Sequence, residues 1–457
     1  MMRKLLSIAV ASLFLITGKN FAYNLKITCR AKGIELVLLQ EAIDEWVRKT
    51  HNRHNVEVVT LPHSSNECFA LYKQWLSAES FDIDILQMDF PWIGAFADYL
   101  ADLRPLIDVK VLYEKDIFPA VLKNMYDGDR LVALPVYTDC EIMYYRKDLL
   151  DKYGFSVPKT WEELYQTALA IQREEQRTNN RFIGYVFQAK AFEMLTCNFV
   201  QLVDSFGGSI VKDGKADINS QQCVDALSFM IDCLKNISTQ SVLNYSEEEA
   251  RGLFQAGNAL FMNTWPYAWS LMNDPSTAVS GKIGVMVIPR RDKNSGKPSG
   301  ALGGWFFTVS KYSKHAKEAA DLAQFLTSKE QHLARMKHTY APAYRDLYDN
   351  NDILFSTLKN ALENAVARPS STFGKTYPRA SIEICNLVNM ALTESLEDER
   401  RNITERFLRR LNKRLNNILR RNNRIAHPDQ NEPFLRRVIL GLKQLFVGFF
   451  RVLGYTG

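Results

Sequence analysis

Five short stretches gather the residue types that do chemistry. Glu35 stands just before an apolar helical repeat, and Asp89 closes a run that reads as a strand. Tyr137 and Asp139 follow Pro135 in LPVYTDCEIMYYRKDLLDKYG, residues 134–154, where the proline is expected to break the chain and set a turn. NTWPYAW, residues 263–269, holds Trp265, Tyr267 and Trp269. LGGW, residues 302–305, ends on Gly304 and Trp305, and Arg368 precedes Pro369 further on. A carboxylate accepts hydrogen bonds from two neighbouring hydroxyls, and arginine donates a planar fork. Tryptophan and tyrosine offer flat apolar faces with a polar tip, which suits the C–H face of a sugar ring. Paired glycines let backbone come close to a ligand. The set therefore suits recognition of a polyol. Each member also has a plainer use: the rings of 263–269 can fill a core, Asp89 can cap a helix, Arg368 can be a solvated charge, and a glutamate at a helix start is commonplace.

The elements that must position these residues follow from hydropathy pattern. Leu25–Thr28 alternates like a strand, and Ile34, Leu38, Ala42, Ile43 and Trp46 repeat like a helix. Val56–Val59 reads as a second strand, 70–76 as a helix, and Ile83–Leu86 as a third strand running to Asp89. This order argues for an α/β sheet with ligands near the carboxyl ends of strands. Beyond it, Ile142–Tyr145 reads as a buried strand and Lys147–Leu150 as a short helix stopped near Gly154. Thr160–Glu163 and Ser246–Glu249 are capping boxes. Ile183–Phe187, Ala259–Met262, Ile283–Ile288 and Phe306–Val309 read as strands, and 223–234 and 316–326 as helices.

The chain has 457 residues, 46% of them hydrophobic and 24% charged, enough for two or three domains with a large core. Residues 1–22 read as a secretory signal: Arg3 and Lys4, then an apolar run from Leu5 to Thr17 too short for a span, with a cut after Ala22. The seven cysteines include no CxxC and no Cys/His pair at zinc spacing, so no metal and no cofactor is expected. Their odd count leaves at least one thiol outside any intrachain disulfide. The net charge of +6 is uneven: from Arg400 onward there are 14 Lys+Arg against 3 Asp+Glu, net +11, which leaves −5 for the rest. A mildly acidic body argues against nucleic acid as a partner.

LPVYTDCEIMYYRKDLLDKYG, NTWPYAW, LGGW and ENAVARP (residues 363–369) occur in an order and spacing that resembles the family 1 extracellular solute-binding proteins of bacterial ABC sugar importers. The trehalose/maltose-binding subgroup is the most similar, and the resemblance covers roughly residues 25–395. It implies an α/β fold of the two-lobed periplasmic-binding-protein type, with a hinge and an interlobe cleft. Lobe one would be 25–134 and 302–338, and lobe two 138–298 and 342–400. Carried over by motif, Glu35, Asp89, Tyr137, Asp139, Trp265, Tyr267, Gly304, Trp305 and Arg368 fall on ligand-contacting positions. The implied protein is not an enzyme. It is periplasmic, binds a disaccharide or related polyol, and delivers it to ABC permease subunits in the inner membrane. Two departures bear on the ligand: Arg30-Ala31-Lys32-Gly33 replaces a small, Gly-rich loop, and Cys68-Phe69 stands where relatives often place an arginine.

Residues 401–457 extend past the resemblance as a basic amphipathic tail. Phe407, Leu408, Leu411, Leu415, Ile418 and Leu419 share one helical face, opposite Arg406, Arg409, Arg410, Lys413, Arg414, Arg420 and Arg421. A second, more apolar helix is expected over 434–453. The reading is contact with an anionic membrane surface; the alternative is a helix packed on the body or docking a partner. Two rival functions remain: a glycoside hydrolase using paired carboxylates such as Asp89 and Asp139, and a membrane-tethered interaction protein that has lost sugar binding.

Overall fold

In the computed structural model the described residues are 23–30, 33–51, 53–62, 65–112, 114–348, 352–397 and 403–426. The signal-like segment 1–22 and the second tail helix over 434–453 lie outside them. The strands of four residues or more are β1 (Tyr23–Cys29), β2 (His54–Thr60), β3 (Ile85–Asp89), β4 (Leu134–Cys140), β5 (Ile142–Arg146), β6 (Ile183–Val186), β7 (Ala259–Thr264), β8 (Ile283–Met286) and β9 (Leu302–Val309). The helices of eight residues or more are α1 (Ile34–Lys49), α2 (Ser65–Ser77), α3 (Trp161–Glu175), α4 (Glu193–Ser205), α5 (Gln221–Asn236), α6 (Glu247–Gln255), α7 (Ala316–Leu326), α8 (Lys329–Met336), α9 (Ile353–Glu363), α10 (Tyr377–Glu397) and α11 (Ile403–Ala426). The chain folds as two compact units, Met1–Cys140 with Gly303–Glu363 and Glu141–Leu302 with Asn364–Gly457.

Unit 1 is built on a mixed sheet in the order β2-β1-β3-β9-β4. β1 runs parallel to β2 and β3, and β9 runs antiparallel to β3. All five residues of β3 are buried, as befits a central strand covered on both faces. α1 turns Leu39, Ala42, Ile43 and Trp46 inward at helical spacing. Pro135 does not make the expected turn; it is the second residue of β4, which lies at the sheet edge. An edge strand tolerates a residue that cannot donate to a ladder. Tyr137 and Asp139 are consequently strand residues.

Unit 2 has a four-stranded sheet, β8-β5-β7-β6, with β7 antiparallel to β5 and parallel to β6. Both capping boxes form: Thr160 and Glu163 close the start of α3, and Ser246 and Glu249 that of α6. Met194–Val203 of α4 is buried throughout, because this helix carries contacts to α5 and α10. None of the seven cysteines forms a disulfide, and all are buried.

The chain crosses from unit 1 after Cys140, returns after Leu302, and leaves again after Glu363. The family resemblance read from the sequence implies that 342–363 belongs to lobe two and that lobe one's first segment ends at 134. In the structure β4 is continuous with the unit 1 sheet, and α9 packs on β4 through a face that includes Leu354, Leu358, Ala361 and Leu362. A second difference concerns the tail. Phe407, Leu408, Leu411, Leu415, Ile418 and Leu419 are all buried, with α11 packed on α10 and α5. Arg414 pairs with Glu383, Arg406 with Glu394, and Asn416 bonds both backbone groups of Ala216. The apolar face of 403–419 is therefore occupied by protein and is not offered to lipid; the cations Arg410, Lys413, Arg420 and Arg421 stay exposed.

Burial of this kind has a measurable cost when removed. Leu411→Ala is expected to destabilise the protein by about 2–5 kcal/mol in denaturant unfolding. A cost below about 0.5 kcal/mol would mean that the face is not packed in solution.

Candidate functional site

The unit 1 sheet brings six scattered residues to one edge. β3 ends at Asp89, paired across to Trp305 near the start of β9. β1 runs parallel to β3, so the chain leaves it at the same edge and enters α1, whose first turn carries Glu35. The hydroxyl of Thr138 donates to Gly303 O at 3.3 Å, which joins the end of β4 to the start of β9. Tyr137 and Asp139 flank that joint. Gly304 is required there. Its φ is 131°, and a Cβ would lie 2.7 Å from Tyr137 O and 2.9 Å from the Cα of Thr138.

Gln87, two residues before Asp89 on the same strand face, holds the edge together. Its side chain donates to Glu35 Oε1 at 3.1 Å and accepts from the Arg30 backbone at 2.7 Å. Its own N–H donates to Thr28 Oγ1 at 2.9 Å, and its carbonyl accepts from Tyr72 OH at 2.6 Å. Aromatic groups form the rest. Trp305 meets Trp92 edge-on at 5.8 Å between ring centroids, and the Arg30 guanidinium lies 5.2 Å over the Trp305 ring. Tyr137 packs on Tyr340 at 4.9 Å.

The electrostatics follow from crowding three carboxyl groups, Asp89 buried and Glu35 and Asp139 partly buried. Burial raises the pKa of Glu35; the Gln87 hydrogen bond and the Arg335 charge oppose it. Asp139 is raised well above the carboxylate range, first by burial and then by the charges of Glu35 and Asp89. Arg335 is pulled down to about 10 by burial, with Glu35 holding it up. A carboxyl kept neutral both donates and accepts a hydrogen bond, which matches a sugar hydroxyl.

Unit 2 holds the other three. Trp265 is half-buried and packs, as Phe192 does, against Met194, Cys197 and Ala301. Tyr144 OH donates to the carbonyls of Trp265 and Pro266 at 3.1 and 3.2 Å, fixing that corner. Tyr267 donates to Glu248 Oε1 at 2.7 Å. Arg368 is only 3% exposed, so it is not a solvated charge; it donates to Glu193 Oε1 at 2.9 Å. Glu193 also accepts from Tyr377 and Ser381.

Sequence reasoning missed Gln87, Arg335, Tyr340 and Glu193. Gln87 had a signal, its alternation with Asp89 on one strand. Arg335 and Glu193 had none, since each is one charge on an ordinary helix. Among the described residues no group of three or more His, Cys, Asp or Glu could hold a metal ion.

The model of the bacterial extracellular solute-binding protein family matches residues 34–332. This chain belongs to that family. Its members are binding proteins, not enzymes, and are exported; the hydrolase reading is set aside on this ground. Residues of this solute-binding protein are 37% identical over 390 positions to a probable ABC transporter-binding protein of Deinococcus radiodurans, across 83% of this chain and 91% of that one. Among solved structures it is similar to maltose-bound MalE3 of T. maritima, at 32% identity and a TM-score of 0.75, covering 86% of this chain and 99% of that one. A solute-binding protein from Thermotoga lettingae bound with α-D-tagatose shares the fold, at 24% identity and a TM-score of 0.71, over 87% and 100% of the two chains. The fold is thus the mixed α/β, two-lobed one of these binding proteins.

The raised pKa of Asp139 has a signed consequence. Above its unfolded value of 3.8 the unfolded chain gives up a proton that the folded chain keeps, so stability falls as pH rises through this window. Asp139→Asn removes this contribution. Melting temperatures taken from about pH 4 upward should decline less steeply in the variant than in the wild type. Parallel profiles would show that Asp139 titrates normally.

Proposed function

We propose that this chain is the solute-binding component of an ABC importer, and that its ligand is a disaccharide of the maltose or trehalose type or a related polyol. The observation that carries the reading is the edge of the unit 1 sheet. There Glu35, Asp89 and Asp139 stand with Tyr137 and Trp305, hydrogen-bonding groups beside flat rings. Arg368, Trp265 and Tyr267 of unit 2 are the second set of contacts, as the sequence resemblance implies. The maltose bound to MalE3 supports a disaccharide, and the likeness to the ABC transporter-binding protein of Deinococcus supports delivery to a permease in the inner membrane. Tagatose in the second structural neighbour keeps smaller ligands within the class to be tested.

A ligand that binds only the folded protein stabilises it by about 2.7 kcal/mol at 100 times its dissociation constant. Thermal-shift titration of the mature protein against maltose, trehalose, sucrose, tagatose and mannitol should give a shift with one of them. Trp265→Ala and Asp139→Ala should each abolish it. If none of the panel shifts the melting curve, the sugar reading fails and the interaction-protein alternative gains.

A further inference from the structure

Glu141 is the first residue of unit 2 after the chain leaves unit 1, and its side chain is wholly buried. Its Oε2 accepts from Asn263 Nδ2 at 2.7 Å and from Gln201 Nε2 at 3.0 Å. Its backbone N–H donates to Ala301 O at 3.1 Å, and the N–H of Ala301 donates to Gln201 Oε1 at 3.2 Å. The N–H of Leu302 donates to Val366 O at 2.8 Å, and that of Val366 to Gly300 O at 2.9 Å. The three segments at which the chain enters or leaves unit 2 are thus linked, and Gln201 fastens them to α4.

The same network reaches both groups of unit 2 site residues. Asn263, on β7, is two residues before Trp265. Besides Glu141 it bonds Asn198 of α4 through Nδ2 at 2.6 Å and accepts from Tyr185 OH at 2.7 Å. Gln188 Nε2 donates to its carbonyl at 2.9 Å. α4 begins with Glu193, the partner of Arg368. Removing the Glu141 acceptor would leave two buried amide donors bare, Asn263 Nδ2 in part and Gln201 Nε2 in part. No apolar residue at this position could hold both.

We propose that Glu141 is a positioning residue for ligand binding: it holds the crossing at Ala301, the Trp265 corner of β7, and α4 as one body. The role rests on the reading that Trp265 and Arg368 take the ligand. A further feature makes it testable. The other oxygen, Oε1, has no hydrogen-bond partner among the described residues, so an ionised Glu141 would bury a charge with one oxygen bare. Burial pushes its pKa up to about 8, and the titratable groups whose charges bear on it are Glu247, which raises it, and Arg368, which lowers it; Tyr185 adjoins through Asn263. At neutral pH the group is an acid with Oε2 as the shared acceptor. Glutamine at this position can present a carbonyl to the same two donors and cannot ionise.

The experiment measures affinity for the sugar that gives the largest thermal shift, in wild type, Glu141→Gln and Glu141→Leu, at about pH 7 and about pH 9.5. Wild-type affinity should fall by roughly threefold or more over that interval. Glu141→Gln should match wild type at the lower pH and lose less than roughly half of that change. Glu141→Leu should bind more weakly at both. Equal pH profiles for wild type and Glu141→Gln, or wild-type affinity in Glu141→Leu, would overturn the proposal. Absence of binding by all three proteins would instead sink the sugar reading. Ligand-free melting then decides the state of Glu141. Between the unfolded value of 4.5 and about 8 the wild type should lose stability with pH faster than Glu141→Gln, and equal slopes would overturn it.

Discussion

Unit 1 is organised around a cost: Glu35, Asp89 and Asp139 are brought to one sheet edge, where like charges repel and water is scarce. At an effective dielectric near 20, two unit charges 4 Å apart interact by about 4 kcal/mol, while a tenfold change in the affinity for a proton is about 1.4 kcal/mol. Burial first, and then the charges of Glu35 and Asp89, favour the neutral form of Asp139, and the proton it keeps relieves the crowding. Gln87 and Arg335 act on Glu35 in the opposite sense, the one by a hydrogen bond and the other by charge, each favouring its ionised form against the burial that raises it. A site for hydroxyls gains both donors and acceptors from the mixture.

The means of holding this edge are backbone ones. The register that sets Asp89 against Trp305, the bond from Thr138 to Gly303, and the lack of a side chain at Gly304 fix where each group stands. Rings then fix one another, Trp305 against Trp92 and Tyr137 against Tyr340. An edge fixed in this way is formed in advance of any ligand, so little ordering would remain to oppose binding there. In unit 2 the corresponding work is done by side chains, in the buried amides around Glu141 and Asn263 and in the Glu193–Arg368 pair.

Much of this was legible in the sequence because strands and capping boxes are local. β1, β2, β3 and α1 stand where alternation and helical spacing put them, and Thr160 and Ser246 cap as their motifs require. The site residues of unit 1 could be named by type, but their meeting could not, since it depends on β9 returning antiparallel beside β3 from more than two hundred residues away. Pro135 misled because a proline reads as a break unless the strand is known to be an edge. The tail misled for a related reason. An amphipathic helix shows that one face is covered, and only the fold shows that α10 and α5 cover it. Glu141 and Arg335 are invisible as isolated charges, and their weight comes from burial.

If the carboxyl and aromatic groups at the unit 1 edge hold the ligand, a crystal structure of the protein with the sugar that stabilises it most should show hydroxyls within hydrogen-bonding distance of Asp89 and Asp139 and a ring face against Trp305. A sugar bound elsewhere, with this edge untouched, would overturn that assignment.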